Sequence, residues 1–330
     1  MLRDFLPDLL DDVLTGEPPP EYQFDSKPWG TLALRPRQIT CIGGAPNCGK
    51  TALLMKMVTG ALLFDPKLRA VIACVEMAED ILLERTLARL SGVFLGKILK
   101  RDRDSFFADR INAVRPQLES LADRLMFVRR PFTMVDVRAV CDEFQRHIVA
   151  LDYLQRISAD SRLVELRQQV TLTMTATREL ADQGPAVLLA AALNRQASSR
   201  AQSRAESADD NVNDLAAFRD SSDVEYSADD AYVLAKAPGN MVTLSEEEYT
   251  PKKLVLRHVK SRNSLTMHIP LLFDGRLQEF TLRKWEDQEA YGIPRIITPP
   301  KTHSSKKEEG FFDSFVDNLK EGDGGTTWLS

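Results

Sequence analysis

The segment Gly44-Ala45-Pro46-Asn47-Cys48-Gly49-Lys50-Thr51 stands between an apolar run at 38–42 and a helix-patterned run at 52–63. No other stretch restricts the fold as much. A loop of the form G-x-x-x-x-G-K-T has to turn several backbone N–H groups into one concavity around a polyphosphate, and glycine takes the required angles without steric cost. Gly44 and Gly49 fill those places. Lys50 is expected to reach the β- and γ-phosphates of a nucleotide as a point charge, and Thr51 to offer its hydroxyl to Mg²⁺. The helix that begins there, with Ala52 in its first turn, adds its positive end. A chance match in an ordinary glycine turn would lack the strand before and the helix after.

The remainder of the chain bounds the class. Its 330 residues, 43% of them hydrophobic, supply one large core or two small ones. The longest uncharged apolar run, 185–193, is too short to cross a bilayer, and the first residues carry Asp4 and Asp8 where a secretory signal carries base. A cytoplasmic protein is the expectation. Cys41, Cys48, Cys74 and Cys141 lack zinc spacing, and three of them fall in apolar stretches, as buried reduced thiols do. Cys48 lies inside the loop, where amides would favour a thiolate unless the residue is simply small enough to fit. With a net charge of −5, no bulk positive field advertises nucleic acid, so any such contact must come from a few local cations.

Leu2, Phe5, Leu6, Leu9, Leu10, Val13 and Leu14 recur at helical spacing, with Pro7 inside the pattern and Gly16 and Pro18-Pro19-Pro20 ending it. That apolar face must be buried either on its own domain or on a neighbouring subunit. From about 24 onward, short β-rich runs alternate with amphipathic helices, the pattern of an α/β domain with a mostly parallel sheet. Strands are expected at 38–42, 70–75, 125–128, 148–151, 186–193 and 231–235, and helices at 51–63, 78–90, 105–124, 134–146 and 163–183. Antiparallel strands at 254–259 and 265–273, joined by a turn at Arg262-Asn263-Ser264, close the sheet. The organisation is therefore an N-terminal helix and linker (1–23), one α/β domain (24–290) and a polar tail (291–330). The polar stretches 196–214 and the tail have the composition of segments that stay mobile without a partner. Within the tail, Phe311, Phe312, Phe315, Val316 and Leu319 share a helical face, which suits a docking peptide for a protein partner or a last helix on the chain's own core.

Two acids end apolar runs. Asp152 follows His147-Ile148-Val149-Ala150-Leu151, where an NTPase places the acid of its Mg²⁺ shell. Glu76 follows Ala70-Val71-Ile72-Ala73-Cys74-Val75, where a base that positions and deprotonates water would face the cleft. Taken singly, the first reads equally as a turn aspartate and the second as a helix N-terminal acid.

Val75-Glu76-Met77, Val149-Ala150-Leu151-Asp152-Tyr153-Leu154-Gln155 and Leu193-Asn194-Arg195 together resemble the ATPase domain of DnaB-type replicative helicases. Phe218-Arg219-Asp220-Ser221-Ser222-Asp223-Val224-Glu225 is similar to that family's L-R-E-S-G-x-x-E segment, and Lys260-Ser261-Arg262-Asn263 to its K-x-R-N segment. The resemblance spans about 24–282. It implies a RecA-like P-loop NTPase fold, a homo-oligomeric assembly in the form of a hexameric ring, ATP and Mg²⁺ held between subunits, and single-stranded DNA in the central channel. On that likeness Glu76 is the catalytic glutamate, Asp152 the metal-shell aspartate, and Lys260 and Arg262 the cations that reach the adjacent subunit's γ-phosphate. Arg219, Asp220 and Ser222 fall in the DNA-contacting loop, with Arg195 just before it. A few contacts per subunit, repeated around a ring, give tight binding to a strand even when the protomer is acidic.

The chain departs from the pattern at Ala192, where the family carries a glutamine that reports the γ-phosphate to the DNA loops. Alanine has no side-chain hydrogen bond to give, so coupling must be weaker or use another residue. The family's N-terminal domain is not represented, and the 2–14 helix resembles instead its linker helix, which docks on the adjacent subunit. A helicase motor is the leading expectation. A non-unwinding switch, loader or defence component with the same site, and a signalling ATPase without nucleic acid, stay open beside it.

Overall fold

The computed structural model describes residues 2–103, 105–159, 166–193, 227–237, 249–262 and 265–283. Among these the apolar runs form one nine-stranded sheet. In chain order its strands are β1 (Ile39–Gly44), β2 (Ala70–Cys74), β3 (Leu125–Phe127), β4 (Ile148–Asp152), β5 (Ala186–Ala192), β6 (Asp230–Lys236), β7 (Lys252–Ser261), β8 (Ile269–Asp274) and β9 (Glu279–Leu282). They lie in the order β3-β2-β4-β5-β1-β6-β7-β8-β9. Pairing is parallel from β3 to β6 and antiparallel from β6 to β9. The parallel strands read as unbroken apolar runs because helices cover both faces of that part of the sheet.

The period of two sorts those runs into two cores. Ile42, Ile72, Ala150 and Leu188 face Leu53, Met57 and Leu62 of α2 (Lys50–Phe64). Cys41, Val71, Val149 and Val187 face Val137 and Cys141 of α6 (Met134–Phe144) and Met174 and Leu180 of α7 (Leu166–Asp182). The first of these helices is buried on every side from Ala52 to Leu62, which explains its lack of a polar face. Gly60 sits within it because the chain crosses there: a Cβ would overlap the Phe24 carbonyl oxygen. The entering segment, carrying Phe24, Trp29, Leu32 and Leu34, thereby covers the helix.

The helices α3 (Glu79–Ser91), α4 (Leu95–Lys100) and α5 (Ser105–Ala122) pack on one another, with α3 and α5 against α2. Neither α4 nor β9 is anticipated from sequence, being only six and four residues long. The C-terminal hairpin also differs from expectation. Pairing of β7 with β8 ends at Leu256 and Ile269, and Lys260 and Ser261 pair instead with Ala231 and Asp230 of β6. Leu265 is almost wholly exposed and outside any strand, so the connection is long rather than a tight three-residue turn. At the other terminus α1 (Leu2–Thr15) runs through Pro7. Its apolar residues Leu9, Leu10, Val13 and Leu14 are exposed, so the chain's own domain does not bury that face. Residues 196–214 and the tail motif at 311–319 lie outside the described residues. No helix among the described residues is long and apolar enough to cross a membrane.

One buried charge cluster ties the layer together. Lys56 on α2 is 9% exposed and meets Asp25 at 2.9 Å and Glu279 of β9 at 2.5 Å, with its ammonium over the Trp29 ring. Burial pushes the Asp25 carboxyl up, but the hydrogen bond and charge of Lys56 outweigh it and hold the group below its ordinary value. Removing one partner of such a cluster strands the others, at a cost of about 3 kcal/mol here because both acids are partly solvated. Lys56→Met is expected to lose that much in denaturant unfolding. A carboxyl with a depressed folded pKa contributes stability that is present above its unfolded value, near 3.8, and lost as pH falls through the folded one. The wild-type melting temperature should therefore drop on acidification below about pH 4, and Lys56→Met should show a shallower acid limb.

Candidate nucleotide-binding site

The loop from β1 into α2 is shaped by contacts that only small residues tolerate. A Cβ on Gly44 would meet the Cys48 Sγ at 2.7 Å and the Leu234 carbonyl oxygen of β6 at 3.0 Å. Gly49 has φ +101°, and a Cβ there would stand 2.9 Å from Phe280, which stacks on Phe273 as the floor beneath the loop. Asn47 takes the left-handed conformation as well, with φ +60°. The start of α2 carries no side-chain cap and no acid in its first turn, whereas α6 is closed by a Thr133–Asp136 capping box. Uncapped N–H groups at the end of a loop that also presents a lysine form a site for an anion. Lys50 folds back across the loop, its Nζ donating to the carbonyl oxygens of Gly44 at 2.8 Å and Ala45 at 3.0 Å. A phosphate would be a stronger acceptor than either.

Cys48 is a structural residue. It is 7% exposed and packs under Gly44, and burial raises its thiol above the ordinary value despite the nearby Lys50 charge. The reactive-thiolate reading fails because desolvation outweighs the amides.

Asp152 ends β4 beside the loop, and the Thr51 hydroxyl donates to its Oδ2 at 2.6 Å. Burial pushes the Asp152 carboxyl up; Thr51 and Lys50 draw it back, while Glu76 pushes it further up. Glu76, just beyond β2, opens into the same cleft as Lys50, Thr51 and Asp152, a space of about 1560 Å³. Among the described residues no group of three or more His, Cys, Asp or Glu side chains is placed to hold a metal on its own. An octahedral Mg²⁺ shared with phosphates needs only one or two hard oxygen ligands. The hydroxyl of Thr51 and the buried carboxyl of Asp152 fit that requirement, since a second positive charge would favour ionisation of a desolvated acid.

Arg85, Arg130, Arg156 and Lys252 carry no local motif and reach the cleft from scattered elements. Arg85 of α3 bonds the Gln278 side chain at 3.1 Å, and Arg156 donates to the Tyr153 hydroxyl at 3.0 Å; both line the cleft with Arg130 and Lys252. Gln155 clasps the end of β5 in both directions, its Nε2 donating to the Ala192 carbonyl at 3.0 Å and its Oε1 accepting from the Ala192 N–H at 3.2 Å. Ala192 itself is exposed at the cleft wall.

Lys260 and Arg262 are elsewhere. Lys260 is paired with Ala231, and Ser261 with Asp230, at the start of β6, while the loop end of the sheet is marked by Gly44 beside Leu234. Three strand residues for Lys260 and five for Arg262, roughly 10 and 17 Å, separate those levels. Their side chains point to the connection before β6, Lys260 Nζ donating to the Ala228 carbonyl and Arg262 Nη1 to Asp229 Oδ1. Neither lines the cleft of its own protomer. Arg195, Arg219, Asp220 and Ser222 lie outside the described residues.

The family model of the DnaB-like helicase C-terminal domain matches residues 23–282. The chain belongs to that family. Its fold is RecA-like. The described structure is similar to a separately solved ATPase domain, with TM-score 0.66 at 16% identity over 86% of this chain and 99% of that one. It matches a DnaB-like replicative helicase, solved in a study of that helicase's interactions with primase, with the same score and identity over 86% of this chain and 67% of that one. A KaiC-like protein from Pyrococcus horikoshii OT3 follows at TM-score 0.52 and 11% identity, covering 81% of this chain and all of that one. No curated protein gave a significant match. The family match covers β1 through β9, so every cleft residue named above belongs to the DnaB-like domain.

Proposed function

We propose that this DnaB-like domain is an ATPase that works between protomers of a ring on single-stranded DNA. One observation carries the reading: the phosphate cradle and both acids stand at one end of the sheet, and Lys260 and Arg262 at the other. A γ-phosphate in the cradle is beyond their reach within one protomer, so a neighbour has to deliver them. The exposed face of α1 gives such a neighbour an apolar surface to cover. In this arrangement the loop amides and Lys50 bind and orient the triphosphate, and Glu76 orients a water in line and accepts its proton as the β–γ phosphoanhydride bond breaks. Mg²⁺ on Thr51, with Asp152 in its shell, would neutralise charge on the β- and γ-oxygens. Arg262 and Lys260 of the next protomer would stabilise the transferring phosphoryl group, which ties turnover to assembly.

Mixing tests this. Lys50→Ala and Arg262→Ala protomers are each expected to be inactive alone. Combined, they should regain hydrolysis at about a quarter of interfaces, those where an intact cradle meets an intact hairpin. No recovery from an assembled mixture would overturn the proposal. Ala192 favours a second reading, a switch or loader that grips the strand without unwinding, because its methyl group cannot answer the γ-phosphate. Single-stranded DNA should accelerate hydrolysis in both readings, and displacement of a forked duplex separates them. A signalling ATPase would show neither.

A further inference from the structure

Asp229 is 6% exposed and makes contacts that the loop motif, the metal acids and the family resemblance leave unexplained. Its Oδ1 accepts from Arg262 Nη1 at 3.1 Å. Its Oδ2 accepts from the Ile39 backbone N–H at 2.7 Å and from Arg178 Nη2 of α7 at 2.7 Å. The main chain repeats the pattern, since the Asp229 N–H donates to the Ile39 carbonyl at 2.9 Å and its carbonyl accepts from the Arg262 N–H at 2.9 Å. The residues before it behave alike: Arg178 donates to the Ser227 carbonyl and Lys260 to the Ala228 carbonyl at 2.8 Å. Both hairpin cations are thus seated on one stretch of three residues. That stretch is anchored to Ile39, the first residue of the strand whose other end is the phosphate cradle.

Three donors satisfy this buried carboxyl group. Arg178 and the Ile39 N–H serve one oxygen and leave the other to Arg262, whose side chain is 46% exposed. A guanidinium is planar and rigid, so a bond that seats one of its nitrogens on a buried carboxylate sets the direction of the whole fork. We infer that Asp229 is a positioning residue: it aims Arg262, and through the shared stretch Lys260, at the neighbouring protomer's nucleotide. The inference rests on the trans role proposed above for those cations. A ring built this way runs one strand, β1, from each nucleotide to the seat of the cations serving the next.

The test is Asp229→Asn, which keeps the shape, removes the charge and turns donors toward the donors of Arg178, Ile39 or Arg262. At a protein concentration where sedimentation shows the wild-type assembly, kcat for ATP is expected to fall about 10-fold or more with KM unchanged. In an Arg262→Ala background the same substitution should cost less than about twofold, because the residue it positions is already gone. A full further loss in that background, or a KM rising in step, would mean that Asp229 acts on the fold alone and would overturn the inference. If Arg262→Ala itself leaves kcat intact, the intersubunit reading falls first. Should Asp229→Asn not fold, Asp229→Glu keeps the charge but shifts it by a methylene; it is expected to lower kcat at constant KM, and wild-type kcat there would overturn the inference equally.

Discussion

Arg262→Ala is expected to lower kcat for ATP hydrolysis by about 10³-fold or more while KM for ATP changes little. The asymmetry follows from where the residue stands. On the proposed mechanism ground-state binding falls to the uncapped start of α2, Lys50 and Thr51, and Arg262 is at the opposite end of the sheet. On the proposed intersubunit mechanism its charge would act when negative charge spreads over the transferring phosphoryl oxygens, where a preorganised cation stabilises most. Because the side chain is half exposed in the protomer and its partner Asp229 is shared with Arg178, folding should survive the substitution. Steady-state kinetics with a melting curve reads both. An unchanged kcat in assembled protein would refute the intersubunit mechanism.

Glu76→Gln is expected to reduce hydrolysis by about 10²- to 10⁴-fold with nucleotide affinity retained. Amide and carboxylate have the same shape, so the water can still be held, but the amide cannot take its proton. The residue is exposed at the mouth of the cleft and forms no part of the core, which separates its role from stability. It also raises the Asp152 carboxyl, so its neutralisation should make the metal-shell acid ionise more readily. A fluorescent ATP analogue should accordingly bind Glu76→Gln at least as tightly as wild type. Weakened binding in parallel with lost turnover would assign Glu76 to the cradle rather than to the chemistry.

The parts of the site that are legible in the sequence share one property. Gly44 to Thr51 is a contiguous motif with the spacing of a phosphate-binding loop, and Asp152 and Glu76 stand at the ends of apolar runs that form buried strands. Arg85, Arg130, Arg156 and Gln278 cannot be found that way. They come from a helix, loops and a short 3₁₀ turn, and no spacing relates them until the sheet folds. Asp229 is hidden more thoroughly, because it reads as an ordinary acid before a strand and its meaning lies in Ile39, Arg178 and Arg262, far away in the chain. Of the two readings of Cys48, the small residue that fits is the one its packing supports, and a related reason hides this from the sequence. Backbone amides are visible in a motif, whereas the packing of Phe273, Phe280 and Leu234 around the loop is not.

Sequence by itself determined the parallel α/β layer and the loop motif, because local steric rules and the two-residue period of buried strands act on neighbouring residues; the family was carried by the resemblance of its short motifs in order. Only the tertiary structure decided that the hairpin cations sit about 10 to 17 Å of strand away from their own cradle, and that β7 leaves β8 to finish against β6. Register between distant strands is set by how whole apolar faces fit together, and no short stretch of sequence contains that sum.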